Sequence, residues 1–119
     1  MEGFYPDKFR TGKAVRFDAE DGFGVNPADG TVPEGIAAQA EQSCKNVDAI
    51  LETAGTDFTK VLKTTCFLVD MGDFAAFNEI YANYFTSKPA RSCVAVKTLP
   101  KNVLCEIEAI AVKYLPACF

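Results

Sequence analysis

Histidine is absent from this chain of 119 residues. Without it, Ser–His and Cys–His nucleophilic catalysis, histidine-containing zinc fingers and most transition-metal sites are excluded together. The glycines do not form the G-x-G-x-x-G pattern that cradles phosphates. The two carboxylates of Asp70 and Asp73 stand beside a predicted helix start, where such groups usually cap the helix rather than bind a metal. The sequence therefore predicts neither a metal site nor a bound cofactor.

Cysteine pairs with metal-ligand spacing are also missing. The five cysteines include no C-x-x-C arrangement, and their odd number does not favour a disulfide framework. Four of them lie in apolar segments, where cysteine behaves as a small buried hydrophobe: Cys44, Cys66, Cys93 and Cys105. We expect these four to be core thiols, whereas Cys118, near the end of the sequence, is a candidate for a free exposed thiol.

Long apolar runs and clustered basic residues are lacking too. No run approaches the ~18 residues that a membrane-spanning helix requires. The first residues show neither the basic start nor the apolar core of a signal peptide, so we expect a cytoplasmic protein, with the mitochondrion as the alternative. A net charge of −4 disfavours nucleic acid as the main partner. The length fits a single domain over residues 1–119.

The first half of the chain contains one strongly periodic segment. Residues 33–54 carry apolar side chains at three- and four-residue steps, which predicts an amphipathic helix. Its expected buried stripe is Ile36, Ala37, Ala40, Cys44, Val47, Ile50, Leu51 and Ala54. Gly55 is expected to end this helix. Before it, residues 14–17 are a short strand candidate and residues 23–25 a possible second one.

The second half predicts three strands and one helix. Residues 61–69 are rich in β-branched and aromatic side chains and apolar on both faces, as in a central strand. A helix over residues 74–85 follows, with Asp73 as its N-cap. Residues 89–96 and 103–112 are two further strands joined by a polar link. The order predicts an α+β sandwich with two helices on one face of a sheet.

Two helices cover only one face of a sheet, yet the predicted strands are apolar on both. In the last strand, Val103, Cys105 and Ile107 point one way, together with Ala109 and Ala111. Leu104, Ile110 and Val112 point the other way, interleaved with Glu106 and Glu108. An apolar face left uncovered is too large a patch for a monomer. We therefore expect a homo-oligomer assembled through that face.

Charged groups interrupt this apolar region and are the candidates for function. Arg91 follows Pro89-Ala90 at the start of a strand. It is either a surface arginine, or the partner of Glu106 or Glu108 in a salt bridge, or a group that holds a small carboxylate in two hydrogen bonds. One of the glutamates, in an apolar pocket that raises its pKa, could orient a water or transfer protons. Asn78, between apolar neighbours in the second helix, is either a structural amide or part of a site.

The C-terminal half also carries a family resemblance. Pro-Ala-Arg-Ser-Cys-Val at 89–94, Leu-Pro-Lys at 99–101 and Glu-Ile-Glu-Ala-Ile-Ala-Val at 106–112 resemble the signature of the RidA/YjgF family, the reactive-intermediate deaminases. The resemblance extends over about residues 24–113. It implies a chorismate-mutase-like α+β fold, a mixed sheet with two helices on one face, and a homotrimer barrel with pockets between subunits. It also implies cofactor-free hydrolysis of enamines and imines that bear a carboxylate, such as 2-aminoacrylate, to 2-keto acids and ammonia.

Six positions match the family's site residues: Arg91, Glu106, Asn78, Cys93, Tyr5 and Gly22. By this resemblance, Arg91 clamps the substrate carboxylate and Glu106 positions the attacking water. Asn78 and the Cys93 backbone line the same pocket. Tyr5 matches the tyrosine of the family's Gly-Pro-Tyr start, and Gly22 is the nearest equivalent of the glycine in its Ser-Gly-Gln motif. The chain departs from the family in residues 17–23, which are acidic where that motif ends a strand.

Two other functions remain open at this point. Some relatives are described as endoribonucleases or translation inhibitors, although the acidic balance and the lack of histidine disfavour RNA cleavage here. A non-catalytic trimer that binds small carboxylate ligands is the second alternative, because residues 17–23 replace a usual pocket wall.

Overall fold

A computed structural model describes residues 12–17, by their backbone, and residues 24–114. Four strands form one sheet in the order β1-β4-β2-β3. They are β1 (Gly12–Phe17), β2 (Val61–Leu68), β3 (Ala90–Ala95) and β4 (Cys105–Tyr114). The sheet is mixed, since β2 pairs parallel with β3 while β4 runs antiparallel to both β1 and β2. The helices α1 (Ile36–Ala54) and α2 (Phe74–Tyr84) pack into one core on one face of it.

The helix α1 confirms the strongest periodic segment but begins three residues later than expected. Gly35, at its N-cap, has a φ of 88°, a left-handed conformation that an α-helix cannot continue. At the other end Gly55 ends the helix as predicted. It adopts φ 81°, and its N–H donates to the Glu52 carbonyl. The buried stripe was mostly right. Ala37 is exposed, however, and the polar side chains of Gln39 and Ser43 are buried in its place.

The strand β2 is central, as predicted, with β4 on one side and β3 on the other. In the register, Cys66 lies opposite Ile107 of β4 and opposite Cys93 of β3. The side of the sheet that carries these residues packs under the helices. Its fully buried members in β2 and β4 are Thr64, Cys66, Leu68, Cys105, Ile107, Ala109 and Ala111. The predicted alternation along β4 is therefore confirmed.

The other side of the sheet has no helix over it among the described residues. Phe67 and Glu106 are paired there, and Val94 of β3 is 45% exposed. Val103 was expected to share a face with Cys105 and Ile107 but packs instead with Phe67 and Leu99 in a separate small cluster. The reason is that β4 begins only at Cys105, so the strand alternation does not reach Val103.

Two local predictions are corrected. Asp73 occupies the N-cap position of α2 but makes no side-chain cap. A 3₁₀ turn precedes the helix, and Asp70 accepts the Gly72 N–H at 2.8 Å there. Residues 24–25 do not form the possible second strand, whereas β1 confirms the one predicted at 14–17. Phe23 itself lies outside the described residues.

Cysteine burial follows the sequence prediction for three of the four. Cys44, Cys66 and Cys105 are fully buried, and Cys93 is half-buried. Burial raises the pKa of the Cys66 thiol to about 12 and that of Cys105 to about 11, which keeps both protonated and unreactive. Cys118 lies outside the described residues. The described helices include none whose length and apolar character would suffice to span a membrane.

Candidate functional site

The side chain of Arg91 lies against α2 and is held by three residues of that helix. Its Nη1 donates to Asn78 Oδ1 at 2.6 Å. The centre of its guanidinium lies 4.5 Å from the centre of the Tyr81 ring and 5.3 Å from that of Phe74. Residues 74, 78 and 81 share one helix face because they are four and three positions apart. The sequence singled out Asn78 of this helix as a candidate; the structure shows that Phe74 and Tyr81 on the same face also hold the arginine.

Tyr81 is itself fixed in place. Its hydroxyl lies 2.7 Å from Thr64 Oγ1 of β2, and its ring stacks on Phe85 with centroids 4.3 Å apart. Only 6% of the residue is exposed. Burial raises the pKa of Tyr81 to about 12, so the phenol stays neutral and does not compete for the guanidinium charge. Arg91 therefore rests on a rigid aromatic support.

A cleft of about 480 Å³ opens beside Arg91. It is lined by Asn78, Tyr81, Ala82, Phe85, Thr86, Lys88, Pro89 and Arg91. An arginine has five N–H donors in a planar fork, and Asn78 accepts only from Nη1. The arrangement is suited to a small carboxylate, which such a fork binds through two parallel hydrogen bonds.

Glu106 lies on the opposite side of the sheet. In the register it faces Phe67, whereas Arg91 pairs with Thr64, on the helix-covered side. Within one chain, Arg91 therefore cannot form an ion pair with Glu106. It cannot pair with Glu108 either, because Glu108 lies on the same side of the sheet as Glu106. The structural pairing that the sequence left open is wrong. A single copy also cannot bring Arg91 and Glu106 to the same small molecule.

The carboxyl of Glu106 is nearly inaccessible, with 5% of the residue exposed. Burial, followed by the negative charge of Glu108, raises the pKa of Glu106 above its ordinary value of 4.5. A carboxyl with a raised pKa accepts and returns protons more readily near neutral pH than an ordinary one. Glu106 therefore has the properties of a group that could activate a water molecule.

The remaining predicted positions divide into two groups. Cys93 lies two residues after Arg91 on the same side of the sheet, and burial raises the pKa of its thiol. Tyr5 and Gly22 lie outside the described residues, so their roles stay predictions. In the part of the chain that the structure describes, no three cysteine or carboxylate side chains converge as metal ligands would.

Sequence reasoning missed Tyr81, Phe74 and Lys88 as parts of the site. The first two were predicted only as core residues. Their spacing from Asn78 was a usable signal. Tyr81 is three positions after Asn78 and Phe74 four positions before it, and residues so spaced share a helix face.

Comparison with known proteins agrees with this geometry. The family model described as Endoribonuclease L-PSP matches residues 21–113. This chain belongs to that family, the RidA/YjgF family. It is 53% identical over 93 residues to the 2-iminobutanoate/2-iminopropanoate deaminase of Escherichia coli K12, covering 75% of this chain and 73% of that protein. The enzyme of the same name from Rattus norvegicus is 50% identical over 92 residues, covering 76% of this chain and 67% of that protein.

Solved RidA/YjgF structures share the fold. The YjgF gene product of E. coli superposes with a TM-score of 0.78 at 44% identity, covering 86% of this chain and 85% of that one. E. coli TdcF with bound serine gives a TM-score of 0.79 at 39% identity, covering 87% and 86%. The predicted α+β sandwich with two helices on one face is therefore confirmed.

Proposed function

We propose that this chain hydrolyses reactive 2-enamines and 2-imines of the 2-aminoacrylate type to 2-keto acids and ammonia. The observation that carries the proposal is the support of Arg91 on Asn78 and Tyr81 at the edge of a cleft, which prepares its fork for a carboxylate. The deaminase names of relatives at 50–53% identity support the same reaction. The coarser conclusion, a small-molecule substrate, is independent of the exact imine.

The proposed reaction needs little beyond positioning. An enamine first takes a proton on carbon and becomes the imine, whose C=N carbon is already electrophilic. Arg91 holds the neighbouring carboxylate. Glu106 orients a water and accepts its proton as the new C–O bond forms, giving a carbinolamine. Glu106 returns that proton to nitrogen. The carbinolamine hydroxyl then gives its own proton to the amino group as the C=O bond forms and the C–N bond breaks, and ammonia leaves with the keto acid behind.

Since Arg91 and Glu106 lie on opposite sides of one sheet, we propose that each working pocket takes its arginine and its glutamate from different copies. The helix-free side of the sheet, with Val94 45% exposed, supports assembly through that side. A homotrimer is the proposed state, because the family resemblance implies it.

The test is a hydrolysis assay with imines generated in place by an amino-acid oxidase. Purified protein is expected to accelerate keto-acid release, and Arg91→Ala to lower kcat/KM by roughly 30- to 150-fold, since a hydrogen-bonded charge contributes about 2–3 kcal/mol. Arg91→Lys keeps the charge without the fork and should recover only part of the rate. The matched control is Lys45→Ala, an exposed cation on α1, which should behave as wild type. No acceleration by the wild-type protein would remove the proposal.

RNA cleavage is not proposed. The description of the matching family model names that activity, but with a net charge of −4 this chain has a poor electrostatic basis for binding phosphates. The cleft beside Arg91 fits a small carboxylate better than a nucleic acid.

A further inference from the structure

The cleft beside Arg91 is larger than a small imine requires. Its volume of about 480 Å³ falls in the range of pockets that enclose drug-sized ligands. A three-carbon imino acid bound to Arg91 leaves most of the cleft volume unfilled. The lining beyond Arg91 therefore contacts whatever the substrate carries past its first carboxylate.

The cleft lining is positively charged. Among the described residues, it includes two cations, Arg91 and Lys88, together with the polar side chains of Asn78 and Thr86, and no aspartate or glutamate. Arg91 is committed to the stack on α2, whereas Lys88 is exposed in the connection from α2 to β3. In this part of the lining, an anion-bearing tail meets a second positive charge.

The backbone of Lys88 is strained and anchored. Its φ of 53° is in the left-handed region, which a lysine rarely adopts, and the residue before a proline is restricted further. The Lys88 N–H donates to the Phe85 carbonyl at 3.2 Å, and Phe85 stacks on the Tyr81 ring that supports Arg91. Lys88 and Arg91 are thus tied to the same aromatic stack. Strain of this kind persists mainly where the surroundings hold it in place, and it is concentrated at functional sites.

We propose that Lys88 binds a second carboxylate of the substrate, so that the preferred substrates are imines of dicarboxylic amino acids. The inference rests on the proposed function and specifies its substrate class. Arg91 holds the carboxylate next to the imine carbon. The Lys88 ammonium, a point charge on a flexible stem, meets the distal carboxylate of 2-iminosuccinate or 2-iminoglutarate. A two-electron oxidation of the amine of aspartate or glutamate is the class of reaction that supplies such an imine.

The experiment compares two imines generated in place, one from aspartate and one from alanine, each by a suitable oxidase. The wild-type kcat/KM is expected to be about threefold to fivefold higher for the aspartate-derived imine, the size typical of a solvent-exposed ion pair. That ratio should fall toward one as ionic strength rises. Lys88→Gln should lower the ratio to about one at every ionic strength, and Lys88→Arg should restore it.

Lys101→Gln is the matched control. Lys101 is also exposed and has a comparable φ of 57°, but it lies outside the cleft lining. Its removal should leave the ratio at the wild-type value. A wild-type ratio of one or below, or an equal loss of the ratio in both lysine variants, would overturn the inference.

Binding separates this inference from the proposed function. If neither imine is hydrolysed faster than in buffer, the proposed function fails, and the probes become succinate and butyrate. Tighter binding of succinate that disappears in Lys88→Gln would keep the second anion position. Equal binding of the two acids would remove it.

Discussion

At the scale of single residues, Arg91 and Glu106, the two principal charged groups of the site, lie in contrasting environments. Arg91 is half-buried on an aromatic support, and only its Nη1 donates to Asn78, which leaves its other N–H donors for a ligand. Glu106 is buried with Glu108 nearby, and its ionised form is disfavoured. The arginine is therefore suited to binding an anion, and the glutamate to exchanging a proton.

Replacing Glu106 with glutamine should lower the rate of imine hydrolysis and raise the free energy of unfolding. Because the pKa of Glu106 is raised in the folded state, the carboxyl favours folding below its unfolded-state pKa, and this contribution is lost as pH rises through the folded-state pKa. The glutamine variant loses nothing over that range. Its free energy of unfolding should therefore exceed that of wild type by a margin that grows from about pH 4 to neutral pH.

Urea unfolding at a series of pH values measures that margin. Glu79→Gln removes an exposed carboxylate of α2 and is the matched control, for which no growing margin is expected. A margin for Glu106→Gln that shrinks with rising pH would contradict the burial account of this carboxyl.

Much of the site's composition could be predicted from sequence, but its arrangement could not. The motifs carrying Arg91 and Glu106 were recognisable, and the alternation along β4 placed Glu106 on the face away from Cys105 and Ile107. Whether Arg91 lies on the same side of the sheet as Glu106 depends on the pairing of β3 with β2 and of β2 with β4. Strand register arises from packing across the whole sheet, and a shift of one residue would have reversed the result.

At the scale of elements, the same limit appears in α1. The spacing of apolar residues predicted most of the length of α1, and Gly55 predicted its end, because both features are visible in the local sequence. The spacing missed Gln39, since a count of apolar positions treats a buried amide as solvent-facing. Gln39 Oε1 accepts the Leu104 N–H at 2.7 Å, and its Nε2 donates to the Pro33 carbonyl at 3.0 Å. This side chain joins α1 to the chain just before β4.

Gln39→Leu should therefore destabilise the fold by about 1–3 kcal/mol, because it leaves a backbone N–H and a carbonyl without partners in a part-buried setting. Gln42→Leu is the control. Among the described residues, the half-buried Gln42 hydrogen-bonds Asn46 of the same helix and no backbone group, so its replacement should cost under about 1 kcal/mol. The two urea midpoints make the comparison, and equal midpoints would show that the Gln39 bridge does not stabilise the protein.

At the scale of the whole molecule, the two sides of the sheet have different roles. One side forms the core with α1 and α2 and supports Arg91. The other side carries Glu106 and the exposed Val94, without a helix over it among the described residues. The apolar residues on both faces of the predicted strands already indicate this division from the sequence. The homo-oligomer and the cytoplasmic location stay predictions.

The composite pocket has a direct consequence for mixtures of inactive subunits. Arg91→Ala and Glu106→Gln should each leave at most a few per cent of the wild-type imine hydrolysis when purified alone. When the two variants are assembled together in equal amounts, each pocket draws its arginine and its glutamate independently. In a symmetric oligomer about one pocket in four then has both groups intact.

The measurement that decides the account is therefore the rate of keto-acid release by that one-to-one assembly. A rate near a quarter of the wild-type rate, from two variants that are each nearly inactive on their own, is the predicted result. A rate no higher than that of either variant alone would contradict a pocket shared between copies of this chain.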